Sequence, residues 1–223
     1  MTQGLRLVLF GPPGAGKGTQ ALLLAEQLEL GHISSGDLFR RHLQAGTPLG
    51  LRAAEYMNRG DLVPDEVTID IVLEKVMSFA NDEGFILDGF PRNDNQAQVL
   101  EDALNRRARG VDHVVYIDVP EEELIQRLAG RYNCRDCQAT QSVPSGSSPG
   151  DVKCERCGGE LYQRADDAPE AVRQRILVYQ RETLPALEFY RKRNLLREIS
   201  GAGTIEGVNQ RVLQALGREA VLG

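Results

Sequence analysis

Residues 10–20 read Phe10-Gly11-Pro12-Pro13-Gly14-Ala15-Gly16-Lys17-Gly18-Thr19-Gln20, and they separate an apolar run from a stretch of strong helix formers. The run at 5–10 is short and bounded like a buried strand, whereas residues 21–28 favour a helix. Glycines in such a turn let backbone N–H groups converge on an anion, and the new helix adds its positive end. The stretch is therefore typical of a phosphate-binding loop in which Lys17 reaches the outer phosphates of a nucleotide.

The loop departs from the general motif G-x-x-x-x-G-K-[S/T] at one position. Gly11, Gly16 and Lys17 match, but Gly18 stands where Ser or Thr is usual, and Thr19 follows one place later. The alternative interpretation is a glycine-rich turn with an exposed lysine. The strand and helix signals on the two sides of the loop favour phosphate binding.

Composition limits the class of protein. The 223 residues are 41% hydrophobic and 26% charged, which is typical of a globular chain with one core domain and insertions, or with two small domains. A net charge of −6 and 5% aromatic residues argue against a general nucleic-acid or membrane-surface binder. No run approaches the roughly 20 apolar residues of a membrane span, and the first apolar run lacks the flanks of a signal peptide. We therefore expect a cytoplasmic protein.

A second short apolar run, at 85–87, ends in Asp88 and is followed by Gly89-Phe90-Pro91-Arg92. An Asp at a strand end is more often a helix cap, but beside a phosphate loop such a residue commonly helps to hold Mg²⁺. Pro91 fixes a turn that presents Arg92 at the carboxyl edge of the sheet, where ligands bind in open α/β folds.

Alternating strand and helix signals predict a doubly wound parallel α/β fold. Ser35 or Asp37 is predicted to cap the helix after the second strand, and Asp167-Ala168-Pro169-Glu170 indicates a capping box. Arg173 and Arg175 fall on different faces of the helix that follows, so only one of them can point at a given site. The predicted strands are 5–10, 32–34, 85–88, 111–119 and 196–199; the main predicted helices are 38–59 with a break at 46–48, 65–79, 95–107, one after Pro120, one after Pro169 that restarts at Pro185, and 208–216.

All four cysteines lie in a segment without helical period, residues 131–164. They form the pattern C-x₂-C-x₁₆-C-x₂-C through Cys134, Cys137, Cys154 and Cys157, which is a spacing of tetrathiolate zinc sites. Two disulfides or reduced thiols are the alternatives, and the lack of an export signal argues against disulfides. We expect a structural zinc or iron site, because four thiolates leave no open position for catalysis.

Together these motifs resemble the adenylate kinase family in its long-lid, zinc-bearing form. The resemblance runs nearly end to end and rests on residues 11–20, 33–38, 87–92 and 162–167 and on the four cysteines. The family loop reads G-K-G-T, as residues 16–19 do. The resemblance implies a sheet of the P-loop NTPase type with a core at 1–34, 64–130 and 165–223, a helical monophosphate-binding insertion at 35–63, and a zinc lid at 131–164.

The resemblance also implies a transferase that moves the γ-phosphoryl group of ATP reversibly to AMP, giving two ADP, with Mg²⁺. Its partners would be these nucleotides, without nucleic acid or membrane, and the family favours a monomer. The implied catalytic residues are Lys17, Arg92, Arg127, Arg131, Arg164 and Arg175. The implied ATP-binding residues are Gly14, Ala15, Gly16, Lys17, Gly18, Thr19, Arg127, Arg131 and Gly203.

The same resemblance implies the acceptor and metal sites. Asp37 and Asp88 would hold Mg²⁺ through water. The four cysteines would hold a structural Zn²⁺. The implied AMP-binding residues are Ser35, Arg40, Met57, Asp61, Leu62, Val63, Gly89, Arg92, Gln96, Arg164 and Arg175.

Two alternative functions stay open at the level of sequence. One is a kinase that prefers another nucleoside monophosphate. The other is a zinc-ribbon nucleic-acid-binding module on a nucleotide-switch core. The segment 131–164 carries five Lys or Arg and four Asp or Glu, and this near-neutral charge disfavours binding to a nucleic acid.

Overall fold

The computed structural model describes residues 4–143 and 152–218. Its centre is a parallel sheet of five strands in the order β2-β3-β1-β4-β8, which confirms the predicted doubly wound α/β fold. Val8 of β1 pairs with Leu87 on one side and with Val114 on the other. The strands are β1 (Arg6–Phe10), β2 (Gly31–Ser34), β3 (Phe85–Asp88), β4 (His113–Asp118), β5 (Arg131–Cys134), β6 (Thr140–Ser142), β7 (Leu161–Tyr162) and β8 (Leu196–Ser200).

Helices connect these strands, and their breaks lie at the predicted places. The region 38–59 is two helices, separated where the Thr47 hydroxyl accepts a hydrogen bond from the Gly50 N–H and Pro48 starts the second one. A π-helical turn, Tyr179–Thr183, precedes Pro185. The helices are α1 (Lys17–Gln27), α2 (Ser35–Gln44), α3 (Pro48–Met57), α4 (Asp65–Met77), α5 (Asp94–Asn105), α6 (Glu121–Ala129), α7 (Pro169–Val178), α8 (Leu187–Arg191) and α9 (Ile205–Ala215).

The core lies on both faces of the sheet. All five residues of β1 are buried, as expected for a central parallel strand covered by helices on its two sides. Val8 and Phe10 belong to one apolar cluster, and Leu7 and Leu9 to the other, because successive side chains point to opposite faces. Because the strands themselves are largely buried, the polar residues of the candidate site lie at the carboxyl ends of β1, β2 and β3 and in the loops that follow them.

Two predicted helix caps are wrong. The cap of α2 is Ser34, whose Oγ accepts a hydrogen bond from the Asp37 N–H at 3.3 Å. Ser35 instead donates to the carbonyl of Gly89 at 2.7 Å. At α7 the capping residue is Ala168, and no side chain of the described residues caps this helix. The Asp167 carboxylate, predicted to cap α7, binds arginines instead.

The cysteine-bearing segment forms a small sheet of its own. Strand β5 pairs antiparallel with β6 and β7. Of the predicted lid, residues 144–151 lie outside the described residues. Within the described helices, none has both the length and the apolar content required to cross a membrane.

Candidate active site

The phosphate-binding loop closes tightly between β1 and α1. Gly14 and Gly16 have φ of 87° and 89°, a region that residues with a Cβ rarely adopt. A Cβ at Gly14 would also lie 3.0 Å from Leu128 of α6. Gly16 occupies the capping position of α1, and among the described residues no side chain satisfies the first N–H groups of that helix. The loop therefore offers unpaired backbone donors at a positive helix end, which is suited to a phosphate.

Lys17 folds back over this loop. Its Nζ donates to the carbonyls of Gly11 at 2.7 Å and Pro12 at 2.9 Å. Burial lowers the pKa of Lys17 to about 7; the carboxylate of Asp88 acts against this shift, and arginines, Arg92 first among them, add to it. The ammonium is therefore a cation that a bound polyanion would stabilise.

We expect nucleotide binding to be linked to the protonation of Lys17. Bound phosphates raise the pKa of Lys17, so the uptake of a proton by Lys17 on binding is large above pH 7 and small below it, and affinity falls as pH rises above 7. Calorimetry of ATP binding in buffers of different ionisation enthalpy measures this uptake. The matched control is Lys17→Arg, whose guanidinium stays protonated. Equal uptake in both proteins would contradict the linkage.

Several arginines converge beside Lys17. Arg92 donates through Nε to the Gly89 carbonyl at 2.8 Å. Burial, together with the nearby charge of Arg175, lowers the pKa of the Arg92 guanidinium to about 10. Burial, followed by the charges of Arg40 and Arg131, lowers the pKa of Arg164 to about 10. The positive charges of four predicted catalytic residues thus lie close enough to repel their neighbours in the cluster: Arg92, Arg131, Arg164 and Arg175.

Two carboxylates hold this cluster together, and the sequence interpretation missed their role. The Asp167 side chain has no exposed surface. It accepts hydrogen bonds from Arg131 Nε at 2.8 Å, from a second nitrogen of Arg131, and from Arg175 Nη1 at 3.1 Å. Asp166 lies 3.2 Å from Arg175. Burial acts to raise the pKa of Asp166, but Arg175 and Arg131 outweigh it and the pKa is lowered.

Arg127, also predicted to be catalytic, has different contacts. It donates to Glu123 Oε1 at 2.6 Å and to the Gly201 carbonyl at 2.8 Å. The turn that it contacts contains Gly203, whose φ is 96°. Two predicted ATP-binding residues, Arg127 and Gly203, therefore belong to one neighbourhood between α6 and the β8–α9 turn.

The two predicted Mg²⁺ residues are in different surroundings. Asp88 ends β3, and a Cβ at Gly18 would lie only 3.3 Å from its Oδ2, so this carboxylate borders the start of α1. Oxygen ligands beside a phosphate loop suit Mg²⁺. Asp37 forms a 2.5 Å ion pair with Arg40. Burial acts to raise the pKa of Asp37, but Arg40 outweighs it and the pKa is lowered.

The predicted acceptor residues form a connected group and an unconnected one. Ser35 bonds to Gly89, Gly89 to Arg92, and the Arg92 N–H to Gln96 Oε1 at 2.8 Å. Arg40, Arg164 and Arg175 lie in the arginine cluster described above. The remaining four are Met57 at the end of α3 and residues 61–63 between α3 and α4, and within the described part of the chain no hydrogen bond joins them to Ser35, Gly89, Arg92 or Gln96. Among them Met57 packs against the core, Val63 is buried, Leu62 is partly buried, and Asp61 accepts a hydrogen bond from Gln174 Nε2 at 2.9 Å.

The four cysteines meet at one point. All are unbridged, and their sulfur atoms lie within 4.8 Å of one another. The Cys134–Cys157 and Cys137–Cys154 sulfur distances are 3.4 and 3.6 Å. Zinc with bonds of about 2.3 Å at tetrahedral corners requires about 3.8 Å between sulfurs, so the residues fit Zn²⁺.

Replacement of one cysteine is expected to release the metal. Cys154→Ser should lower the bound metal to near zero and lower the melting temperature, because a metal held by the four thiolates would stabilise a segment with a very small apolar core. Metal analysis and a thermal scan measure both effects. Ser142→Ala, at an exposed position of β6, is the control. Purified wild-type protein that contains neither zinc nor iron would contradict a structural metal site.

The family model described as "Adenylate kinase" matches residues 9–195. A curated protein named adenylate kinase from Geobacillus sp. (strain WCH70) is 49% identical over 213 residues, which cover 96% of this chain and 99% of the relative. Proteins of the same name from Dehalococcoides mccartyi and Methanocella arvoryzae are each 46% identical, over 94% and 95% of this chain and 97% and 98% of the relatives.

Proposed function

This chain belongs to the adenylate kinase family, and from that premise we propose that it transfers the γ-phosphoryl group of ATP to AMP in a reversible, Mg²⁺-dependent reaction that gives two ADP. Family membership supports nucleotide phosphotransfer by an adenylate kinase enzyme.

The observation that carries the proposal is the cation cluster. The charges of Arg92, Arg175 and Arg131 help burial to lower the pKa of Lys17, and the charge of Arg175 helps burial to lower the pKa of Arg92. The carboxylates of Asp88, Asp166 and Asp167 act against these shifts and that of Arg175. Such an arrangement is costly without a ligand and favourable around a polyanion. Phosphoryl transfer between two nucleotides places the greatest negative charge at such a point, and fixed cations stabilise that charge.

On the donor side, the chain holds the ATP phosphates. The loop N–H groups at the start of α1 bind the phosphate oxygens. The Lys17 ammonium leaves the loop carbonyls to which it donates hydrogen bonds and binds the outer phosphates instead. Asp88, with Asp37, would hold Mg²⁺, which neutralises phosphate charge when it is bound. Arg127 and the turn at Gly203 bind the nucleoside end of ATP.

On the acceptor side, arginines bind the AMP phosphate. Arg92 and Arg40 hold its oxygens, while Ser35, Gly89 and Gln96 line the pocket of the nucleoside. A phosphate monoester has its second pKa near 6, so the attacking oxygen is already an anion at pH 7. The reaction therefore needs alignment and charge compensation and does not need a side chain that removes a proton.

During transfer, the arginines of the cluster contact the moving group. Arg131, Arg164 and Arg175 face it from β5, from the segment before α7 and from α7 itself, and Asp166 and Asp167 fix the directions of Arg131 and Arg175. We assign the lid at 131–164 and the insertion at 35–63 the exclusion of water, since water would otherwise accept the phosphoryl group.

A coupled assay of ADP formation tests the proposal. Purified protein is supplied with ATP and Mg²⁺ and, one at a time, with AMP, GMP, CMP or UMP. We expect AMP to give the highest kcat/KM and omission of Mg²⁺ to abolish turnover. A severalfold preference for CMP or UMP would contradict the choice of acceptor, and absence of turnover with every monophosphate would contradict the reaction.

A further inference from the structure

Asp65, the first residue of α4, accepts hydrogen bonds from three side-chain amides. Asn93 Nδ2 and Gln96 Nε2 donate to its Oδ1 at 2.9 and 2.7 Å, and Asn95 Nδ2 donates to its Oδ2 at 2.7 Å. Its carboxylate forms no ion pair with a Lys or Arg of the described residues. Burial acts to raise the pKa of Asp65, but the three amides outweigh it and the pKa is lowered. At neutral pH this carboxylate therefore only accepts hydrogen bonds.

The amide of Gln96 is fixed at both ends. Its Nε2 faces the Asp65 carboxylate, which can only accept, and its Oε1 faces the Arg92 N–H, which can only donate, at 2.8 Å. Rotation of the amide by 180° would oppose oxygen to carboxylate and N–H to N–H. The side chain is also 1% exposed, so water cannot compensate for such a rotation. The chemistry of its two partners thus allows a single orientation.

An amide held in one orientation can form hydrogen bonds to a base edge only if the donor and acceptor of that edge follow one particular order. Each amide has two N–H donors and two acceptor lone pairs, and the contacts to Asp65 and Arg92 use one of each. The remaining donor and acceptor match adenine, which presents N1 as acceptor beside the N6 amino donor. Guanine and hypoxanthine present the reverse order, with O6 as acceptor beside the N1–H donor. A freely rotating Gln96 could pair with either kind of base.

We propose that Asp65 is a positioning residue that makes the acceptor site selective for adenine over 6-oxopurines. Asp65 acts through Gln96 and does not touch the nucleotide. The inference rests on the proposed function, in which Gln96 contacts the base of the acceptor monophosphate. It assigns base selection to an interaction between the starts of α4 and α5.

A purely structural role would give a different result. Because Asp65 joins the first turns of α4 and α5, its loss could simply destabilise the packing of these helices. Such a loss would lower the melting temperature and would affect AMP and other monophosphates equally. The ratio of kcat/KM for AMP to that for IMP separates the two roles, since IMP carries hypoxanthine and lacks the extra amino group of guanine.

The test compares Asp65→Leu, Asp65→Asn and wild type with AMP and with IMP at saturating ATP. Leu cannot accept a hydrogen bond, so we expect the AMP/IMP ratio to fall roughly tenfold or more, mainly through the KM of the monophosphate. Asn retains one acceptor oxygen for Gln96, and the exposed Asn95 can rotate to suit it, so this variant should keep most of the selectivity. Asp70→Asn, at an exposed position of α4, is the matched control and should match wild type.

An unchanged AMP/IMP ratio in folded Asp65→Leu would overturn the inference. If that variant does not fold, Asp65→Ser replaces the carboxylate by a hydroxyl that can donate as well as accept, and the same fall in selectivity is expected. Failure of the proposed function is distinguishable, because the wild-type protein would then not turn over AMP. Equal loss with AMP and IMP would assign Asp65 the structural role instead.

Discussion

Lys17→Met is expected to lower kcat by roughly 10²- to 10³-fold, the range measured when one charge-stabilising donor is removed from a transition state. In the unliganded protein the Lys17 ammonium is held beside arginines, and burial lowers its pKa to about 7. Its removal should therefore leave the free energy of unfolding unchanged or raise it slightly. Methionine preserves the length of the side chain. Steady-state kinetics and chemical denaturation measure the two effects.

The control for this substitution is Lys192→Met, at an exposed lysine after α8. It removes the same charge from the chain and should leave kcat at the wild-type value. Equal losses of activity and stability in Lys17→Met would mean that Lys17 supports the fold of the loop, and would contradict its role at the phosphates.

Asp167→Ala is expected to lower the free energy of unfolding by about 3–5 kcal/mol, because it leaves Arg131 without its carboxylate partner and Arg175 with Asp166 alone. The carboxylate is fully buried and contacts Arg131 and Arg175, whose side chains are 19% and 17% exposed. Phosphoryl transfer should fall as well, since both guanidinium groups lose their orientation. Denaturant unfolding and kcat of the folded fraction measure these losses.

The alternative for Asp167 is the helix cap that the sequence predicts. Loss of a cap costs about 1 kcal/mol, and in a capping box Glu170 would share the role. Glu170→Ala is therefore the matched control: it is exposed and should be nearly neutral. Similar small losses for the two variants would support the cap and contradict the role assigned to Asp167.

The parts of the site that sequence predicts are those whose chemistry is local. The phosphate loop needs a strand, glycines and a helix in immediate succession, and the structure has all three at residues 6–27. The spacing of the cysteine pairs likewise predicts a metal site, and in the structure their sulfur atoms lie within 4.8 Å of one another. Helix periodicity predicts that Arg173 and Arg175 lie on different faces of α7. The contacts show that Arg175 is the one that forms ion pairs with Asp166 and Asp167.

The missed parts depend on partners far away in the chain. Asp167 and Arg131 are 36 positions apart, and Asp65 and Gln96 are 31 apart. In sequence, Asp167 before Pro169 and Glu170 has every local feature of a cap, and Asp65 is one more acid at a helix start. Only the fold brings each carboxylate to its donors, and burial then makes those long-range contacts stronger than the local ones.

Phosphoryl transfer between two bound nucleotides is tested most directly when the protein is supplied with ADP and Mg²⁺ alone and the mixture is followed by ³¹P NMR. If two nucleotides bind beside the same arginine cluster and exchange one phosphoryl group, ATP and AMP must appear in equal amounts until equilibrium, without inorganic phosphate. Lys17→Met should reach the same end point far more slowly. Release of inorganic phosphate, or an ADP signal that does not change, would contradict transfer between two nucleotides.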